Sequence, residues 1–136
     1  MIEKLFNKAY THKENKGHNF IYIAVDMHGT VFNEFKRDKH SGIYGKAIFA
    51  LSLLNKRPDI VLVGFTSSFK RDIKEMQKLL ETQGINFTYF NENPECKNTD
   101  TGDFNKKFYY DILLDDRAGF DPEVHWDEII NYYGGK

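Results

Sequence analysis

Phe20-Ile21-Tyr22-Ile23-Ala24-Val25-Asp26-Met27-His28-Gly29-Thr30 is an apolar run that ends on a carboxylate and passes at once into a glycine turn. An apolar stretch without polar alternation reads as a strand buried on both faces, the kind found in the middle of a parallel sheet. Ligands of open α/β sheets gather outside the carboxyl ends of the strands, which is where Asp26 falls. Two further runs end in the same manner: Ile60-Val61-Leu62-Val63-Gly64-Phe65 stops at Thr66-Ser67-Ser68, and Ile112-Leu113-Leu114 stops at Asp115-Asp116. Three strand ends converge on one edge.

Helical spacing fills the intervals between these strands. Ile43, Ala47, Ala50, Leu51 and Leu54 predict an amphipathic helix over 43–56, ended by Pro58-Asp59. Ile73, Met76, Leu79 and Leu80 predict a second over 69–83, with Gly84 as its stop. Residues 85–90 read as a third strand, 91–106 as a polar loop, 109–114 as the fourth strand. Asp121-Pro122 supplies a cap and first-turn proline for a terminal helix through Tyr133, before Gly134-Gly135. The charged stretch Asn33–Gly42 reads as a plain connection over the sheet. Residues 3–10 suit a short helix and the polar Thr11–Asn19 a loop, so 1–19 form a lead-in and 20–136 a single α/β domain. Strands alternating with helices of this length imply a three-layer, doubly wound parallel sheet with right-handed crossovers and helices on both faces.

The 136 residues suffice for one core and leave no room for a second substrate domain. A formal net charge of −1, from 19 basic and 20 acidic residues, gives no global attraction to nucleic acid or anionic membrane. Cys96 is the only cysteine, which excludes an intrachain disulfide and fits a reducing, cytoplasmic setting. No apolar stretch approaches the roughly 20 residues of a membrane span. Aromatics make up 15% of the chain; Phe20, Tyr22, Phe65, Phe87 and Tyr89 lie on strands, where they read as core. His12, His18, His40 and His125 lack metal-ligand spacing and read as surface residues.

Each polar strand end has an ordinary reading when taken alone. An aspartate there caps a turn, an acidic pair before Arg117 makes an ion-paired turn, and a threonine is unremarkable in a strand. Their joint order is what points to chemistry. With Lys107 just ahead of the last strand, the set resembles the haloacid dehalogenase superfamily of aspartate-nucleophile phosphatases, whose first motif is Asp-x-Asp-Gly-Thr; the corresponding residues are Asp26-Met27-His28-Gly29-Thr30. The resemblance spans residues 20 to about 121 and departs at His28, which stands where those phosphatases carry aspartate.

What the resemblance implies is a capless Rossmannoid phosphatase with Asp26 as nucleophile. Asp26, the carbonyl of His28 and Asp115 would hold Mg²⁺, with Asp116 in support. Thr66, Ser67 and Lys107 would bind the transferring phosphoryl group, Lys106 being the alternative lysine, and Gly29 and Thr30 would shape the turn. His28 would take the acid–base role, which an imidazole with an ordinary pKa near ~6.5 can fill. The segments after the first strand and after residue 90 are too short for a cap domain, so the site is expected to be open. The substrate would be a phosphorylated small molecule or, by likeness to the phosphatase half of phage-type polynucleotide kinase-phosphatases, a nucleic-acid end, with Lys36, Arg37, Lys39, Lys70 and Arg71 near the mouth. The alternative is a degenerate member that binds a phosphorylated ligand or partner without turnover. A phosphoacceptor receiver domain uses similar residues, but its acidic pair follows the first strand instead of the last.

Overall fold

The computed structural model describes residues 1–36, 42–99, 101–104 and 107–134. In chain order its elements are α1 (Ile2–Lys16), β1 (Ile21–Asp26), β2 (Phe32–Glu34), β3 (Gly42–Ile43), α2 (Gly45–Lys56), β4 (Ile60–Phe65), α3 (Lys70–Glu81), β5 (Tyr89–Phe90), β6 (Ile112–Leu114), a single 3-10 turn (Asp116–Ala118) and α4 (His125–Gly134). Four strands make a parallel sheet in the order β5-β4-β1-β6, a mixed α/β arrangement consistent with a Rossmann-like fold. The chain steps from β1 outward to β4 and β5, then returns to the far side of β1 as β6. That reversal places a topological switch point between β1 and β6, where ligand crevices of such sheets open. Among the described residues no helix is long and apolar enough to cross a membrane.

The two sheet faces are covered differently. Ile21, Ile23 and Val25 of β1, Ile60 and Leu62 of β4, and Ile112 and Leu114 of β6 join one core with buried residues of all four helices, including Phe6, Leu51, Met76 and Trp126. Tyr22, Val61 and Val63 face the other way, against Phe20, Tyr89, Cys96, Phe108 and Tyr109. Helices were expected on both faces. Instead, the connection from β5 to β6 contains no described helix, and it covers the second face with loop side chains. The β1–β4 and β4–β5 crossovers run in the same direction, so right-handed connections put α2 and α3 on the same side.

Several boundaries differ from the sequence reading. The loop expected over Thr11–Asn19 is helix as far as Lys16, so the lead-in expected over 1–19 is largely α1, whose Ile2, Phe6 and Ala9 enter the main core. Its last turn is polar because it faces solvent. Gly17 stops it at φ 67°, its N–H and that of His18 donating to the carbonyls of Glu14 and Lys13, a left-handed cap that suits glycine. A two-stranded antiparallel ribbon, β2 with β3, stands where Asn33–Gly42 was read as a plain connection, Phe32 pairing with Ile43. Arg37, Asp38, Lys39, His40, Lys106 and Gly135 lie outside the described residues.

Two strands are shorter than expected, 85–90 reducing to Tyr89–Phe90 and 109–114 to Ile112–Leu114. Asp111 explains the second: its N–H donates to the Tyr22 carbonyl, and its carboxylate accepts the Tyr22 N–H at 2.8 Å, so a side chain replaces the next ladder rung. The terminal helix starts at His125 because Asp121 and His125 bond reciprocally. The Asp121 N–H donates to His125 Nδ1 at 2.7 Å, and the His125 N–H donates to the Asp121 carbonyl at 2.7 Å. Of the strand aromatics read as core, Phe65 is instead 40% exposed, because it ends its strand at the open edge of the sheet.

Phe6 packs against Tyr132 and Tyr133 of α4, with ring centroids 5.3 and 5.8 Å away. Phe6→Ala should therefore lower stability by about 3–5 kcal/mol, the range for a buried phenylalanine, as measured by urea denaturation. A loss below about 1 kcal/mol would mean that α1 is a dispensable appendage.

Candidate functional site

Strand register assembles the site. Asp26 pairs with Phe65 across β1 and β4, which leaves Thr66 one residue beyond the pair. Val25 pairs with Leu114 across β1 and β6, so Asp115 follows beside Asp26. One carboxylate oxygen from each of Asp26, Asp115 and Asp116 lies within 4.8 Å of the others. The Asp115 carboxylate also accepts the Arg117 N–H at 2.9 Å, which starts the 3-10 turn carrying Asp116.

The turn after β1 is wound around one carbonyl. Met27 accepts N–H groups from Thr30, Val31 and Phe32, and Gly29 reaches φ 81°. A Cβ at Gly29 would lie 2.6 Å from Asp116 Oδ2, so glycine is required both for the backbone angle and for the approach of this carboxylate. Thr30 is fully buried. Its Oγ1 accepts the Asp116 N–H at 3.0 Å and stands 3.2 Å from Asp26 Oδ2 and 3.4 Å from Asp116 Oδ1, with one proton to give to either.

Thr66 is buried, and its hydroxyl lies 2.9 Å from Ser68 Oγ, which in turn lies 2.8 Å from His28 Nε2. This chain links the strand-end threonine to the exposed imidazole, whose ring also rests 5.9 Å from that of Phe35. Ser67 is exposed, and the hydrogen bonds run through Ser68. Lys107 is exposed, with its ammonium 5.3 Å from the centre of the Tyr110 ring, and forms no ion pair with the three aspartates. Lys70 and Arg71 are exposed at the start of α3.

Three supports escaped the sequence reading. Asn91, at φ 59°, accepts the Thr66 N–H at 2.9 Å and donates to the Thr66 carbonyl at 2.7 Å, clamping that residue on both sides. Asparagine tolerates the left-handed region, which is the only local signal it offers. Trp126 of α4 is buried and donates through Nε1 to the Thr30 carbonyl at 2.9 Å, bracing the turn from below. Ser68 stood in the quoted Thr66-Ser67-Ser68 run, but nothing in the sequence distinguished it from Ser67.

Burial, then the neighbouring Asp115 and Asp116, push the Asp26 carboxyl up to about 6. Among the described residues no lysine or arginine forms an ion pair with any of the three aspartates. A hard divalent cation fits this donor set: all three ligand atoms are oxygens, and opposite ligands of octahedral Mg²⁺ stand about 4.2 Å apart. Adjacent ligands stand about 3.0 Å apart, so the three oxygens, within 4.8 Å of one another, would draw together on the ion.

No family model matches the chain, and no curated protein matches it. Among solved structures, a conserved protein coded by a locus from Bacteroides thetaiotaomicron is similar, with a TM-score of 0.56 and 22% identity, covering 83% of this chain and 92% of that one. At that identity the likeness establishes the fold alone. Fold and site together define a Rossmann-like α/β protein with an acidic cluster, a possible metal site, at the carboxyl edge of its sheet.

Because folding raises the Asp26 pKa from 3.8 to about 6, the native state binds this proton more tightly than the unfolded chain does. The metal-free protein should lose stability as pH rises through that window, and Asp26→Asn should flatten the loss. Urea midpoints at several pH values measure this, and a parent curve that rises between those values would contradict the crowding of the carboxylates.

Proposed function

We propose that the protein is a Mg²⁺-dependent phosphomonoester hydrolase of the haloacid dehalogenase type, with Asp26 as its nucleophile. The observation that carries this reading is the gathering of Asp26, Asp115 and Asp116 within 4.8 Å at the carboxyl edge of a parallel sheet, beside Thr66. Bound Mg²⁺, held by Asp26, Asp115 and Asp116, would offset the carboxylate charge and that of the phosphoryl oxygens. Asp26 attacks phosphorus in line, its carboxylate oxygen forming the new P–O bond as the ester oxygen departs with the bonding pair. Thr66, held by Asn91, donates its hydroxyl to a phosphoryl oxygen. His28 gives its proton to the departing oxygen, then takes one from the water that hydrolyses the aspartyl-phosphate and regenerates Asp26.

In this reading His28 replaces the usual aspartate as acid and base, and Ser68 orients its ring. Lys107 serves the phosphoryl group only after leaving the Tyr110 ring, a rotation of an exposed side chain. The three-layer form of the fold family is not needed for this chemistry, which uses only strand ends. A nucleotide or nucleic-acid end remains the proposed substrate class, in keeping with the exposed Lys70 and Arg71 beside Ser68.

Hydrolysis of p-nitrophenyl phosphate, with Mg²⁺ and then with EDTA, tests the proposal. Activity should require the cation and vanish in Asp26→Asn, whose amide cannot form the acyl-phosphate, while the variant keeps its fold. Thr66→Ala and Lys107→Ala should each slow turnover by a smaller factor, about 10–10³. Turnover by Asp26→Asn equal to the parent's would refute the nucleophile assignment. A parent that binds orthovanadate with Mg²⁺ but turns over no ester would instead be a phosphate-binding protein.

The role of His28 has its own readout. His28→Asn should cost about 10²–10⁴-fold with an alkyl phosphate, whose poor leaving group needs a proton, and little with p-nitrophenyl phosphate. An equal effect on both substrates would show that the imidazole is not the acid.

A further inference from the structure

We infer that the concavity between the end of α1 and the residues Glu95, Lys97, Phe104 and Tyr109 is a second binding site, for a nucleoside monophosphate, separate from the aspartate cluster. Its volume is about 720 Å³, within the roughly 300–1,000 Å³ typical of small-molecule sites. The floor is aromatic. Tyr109 meets Phe104 edge-on at 5.3 Å between ring centroids and Tyr22 at 6.0 Å, and Phe20 adjoins Tyr22 at 6.3 Å. The Tyr109 hydroxyl already donates to Asp111, so this half-buried residue and Phe104 offer a ligand their rings, while Tyr22, buried beneath them with its hydroxyl on Glu95, backs the floor. Rings that fix one another give a stacking surface with little left to order on binding.

The rim is cationic. Lys16 and Lys97 are exposed, line the concavity, and form no ion pair with a described residue. His12 and His18 stand on the same wall with ring centroids 5.9 Å apart. Among the described lining residues Glu95 is the one carboxylate, and both its oxygens are engaged, by the hydroxyls of Tyr22 at 3.0 Å and Tyr89 at 2.6 Å. An aromatic floor beneath two ammonium groups that pair with none of the described residues selects a flat ring that carries an anion. The volume exceeds what a simple aryl acid fills and suits a base, a sugar and a phosphate.

Position separates this concavity from the aspartates. Tyr22 precedes Asp26 by four residues along β1, about 13 Å at ~3.3 Å per residue, and lies toward the amino end of the sheet. A ligand seated there leaves the carboxyl edge open.

Calorimetric titration of AMP into the Asp26→Asn protein, with no divalent cation present, tests the site while the aspartate cluster is disabled. AMP should bind, and adenosine and inorganic phosphate should each bind at least about tenfold more weakly, since each supplies only one half of the recognition. The double variant Lys16→Glu/Lys97→Glu and the variant Phe104→Ala should each weaken AMP by about tenfold or more while the protein keeps its fold by circular dichroism. Nuclear magnetic resonance shifts induced by AMP in the unaltered protein should centre on Tyr22, Phe104 and Tyr109. Absence of AMP binding at millimolar concentration, an affinity unchanged by charge reversal, or shifts centred on Thr66 would each overturn the assignment. None of these readouts depends on phosphatase activity, so the site stands or falls apart from the proposed reaction.

Discussion

Thr30 ties the carboxyl edge of the sheet together. Its buried hydroxyl stands between Asp26 and Asp116 and receives the Asp116 N–H, while its carbonyl is held by the Trp126 indole. Three carboxylates at such close range repel one another, and that repulsion adds to burial in raising the Asp26 pKa. The turn from Met27 to Phe32 must therefore hold Asp26 and Asp116 against a force that would separate them. It does so with backbone hydrogen bonds to one carbonyl, a glycine that leaves space for Asp116, and a tryptophan anchored in the helical core. The edge is braced by that core from below.

The sheet divides labour between its faces. On one side all four helices bury Ile, Leu, Phe and Trp side chains in a continuous core. On the other, aromatic rings and a loop cover Tyr22, Val61 and Val63. The loop face is more polar in detail, since its tyrosines carry hydroxyls that find Glu95 and Asp111. Asn93, also buried, is satisfied there by the Tyr109 carbonyl at 2.9 Å. A face built this way satisfies its polar groups one at a time and so tolerates a concavity, whereas the helical face is closed by interlocking apolar packing.

What the sequence disclosed followed from local physics. Buried parallel strands announce themselves as unbroken apolar runs, so β1 and β4 were legible within a residue, and with them the edge that gathers Asp26, Thr66, Asp115 and Asp116. The hidden parts depended on distant partners. The last turn of α1 is polar and resembled a loop, because its helical state rests on Phe6 meeting α4. Asn91 and Trp126 act through bonds to residues 25 and 96 positions away, which no local pattern encodes. The shortening of β6 likewise follows from one carboxylate standing in for a backbone carbonyl. The reach of Lys107 toward the cluster belongs to the proposed chemistry, and in the structure its ammonium rests over Tyr110.

The packing of α1 against α4 also bears on the order in which the chain becomes stable during synthesis. Phe6 leaves the ribosome well before Tyr132 and Tyr133 and meets them only once they have followed, and the Tyr10 hydroxyl waits in the same way for that of Tyr133, 123 positions later and 2.9 Å away. Until then the side of the Ile2, Phe6 and Ala9 stripe that meets α4 is uncovered. Contacts between residues so far apart in sequence slow folding, because the intervening loop must close before they form. α1 is thus made well before the helix that secures it, and the emerging polypeptide presents a surface that chaperones would shield until α4 arrives.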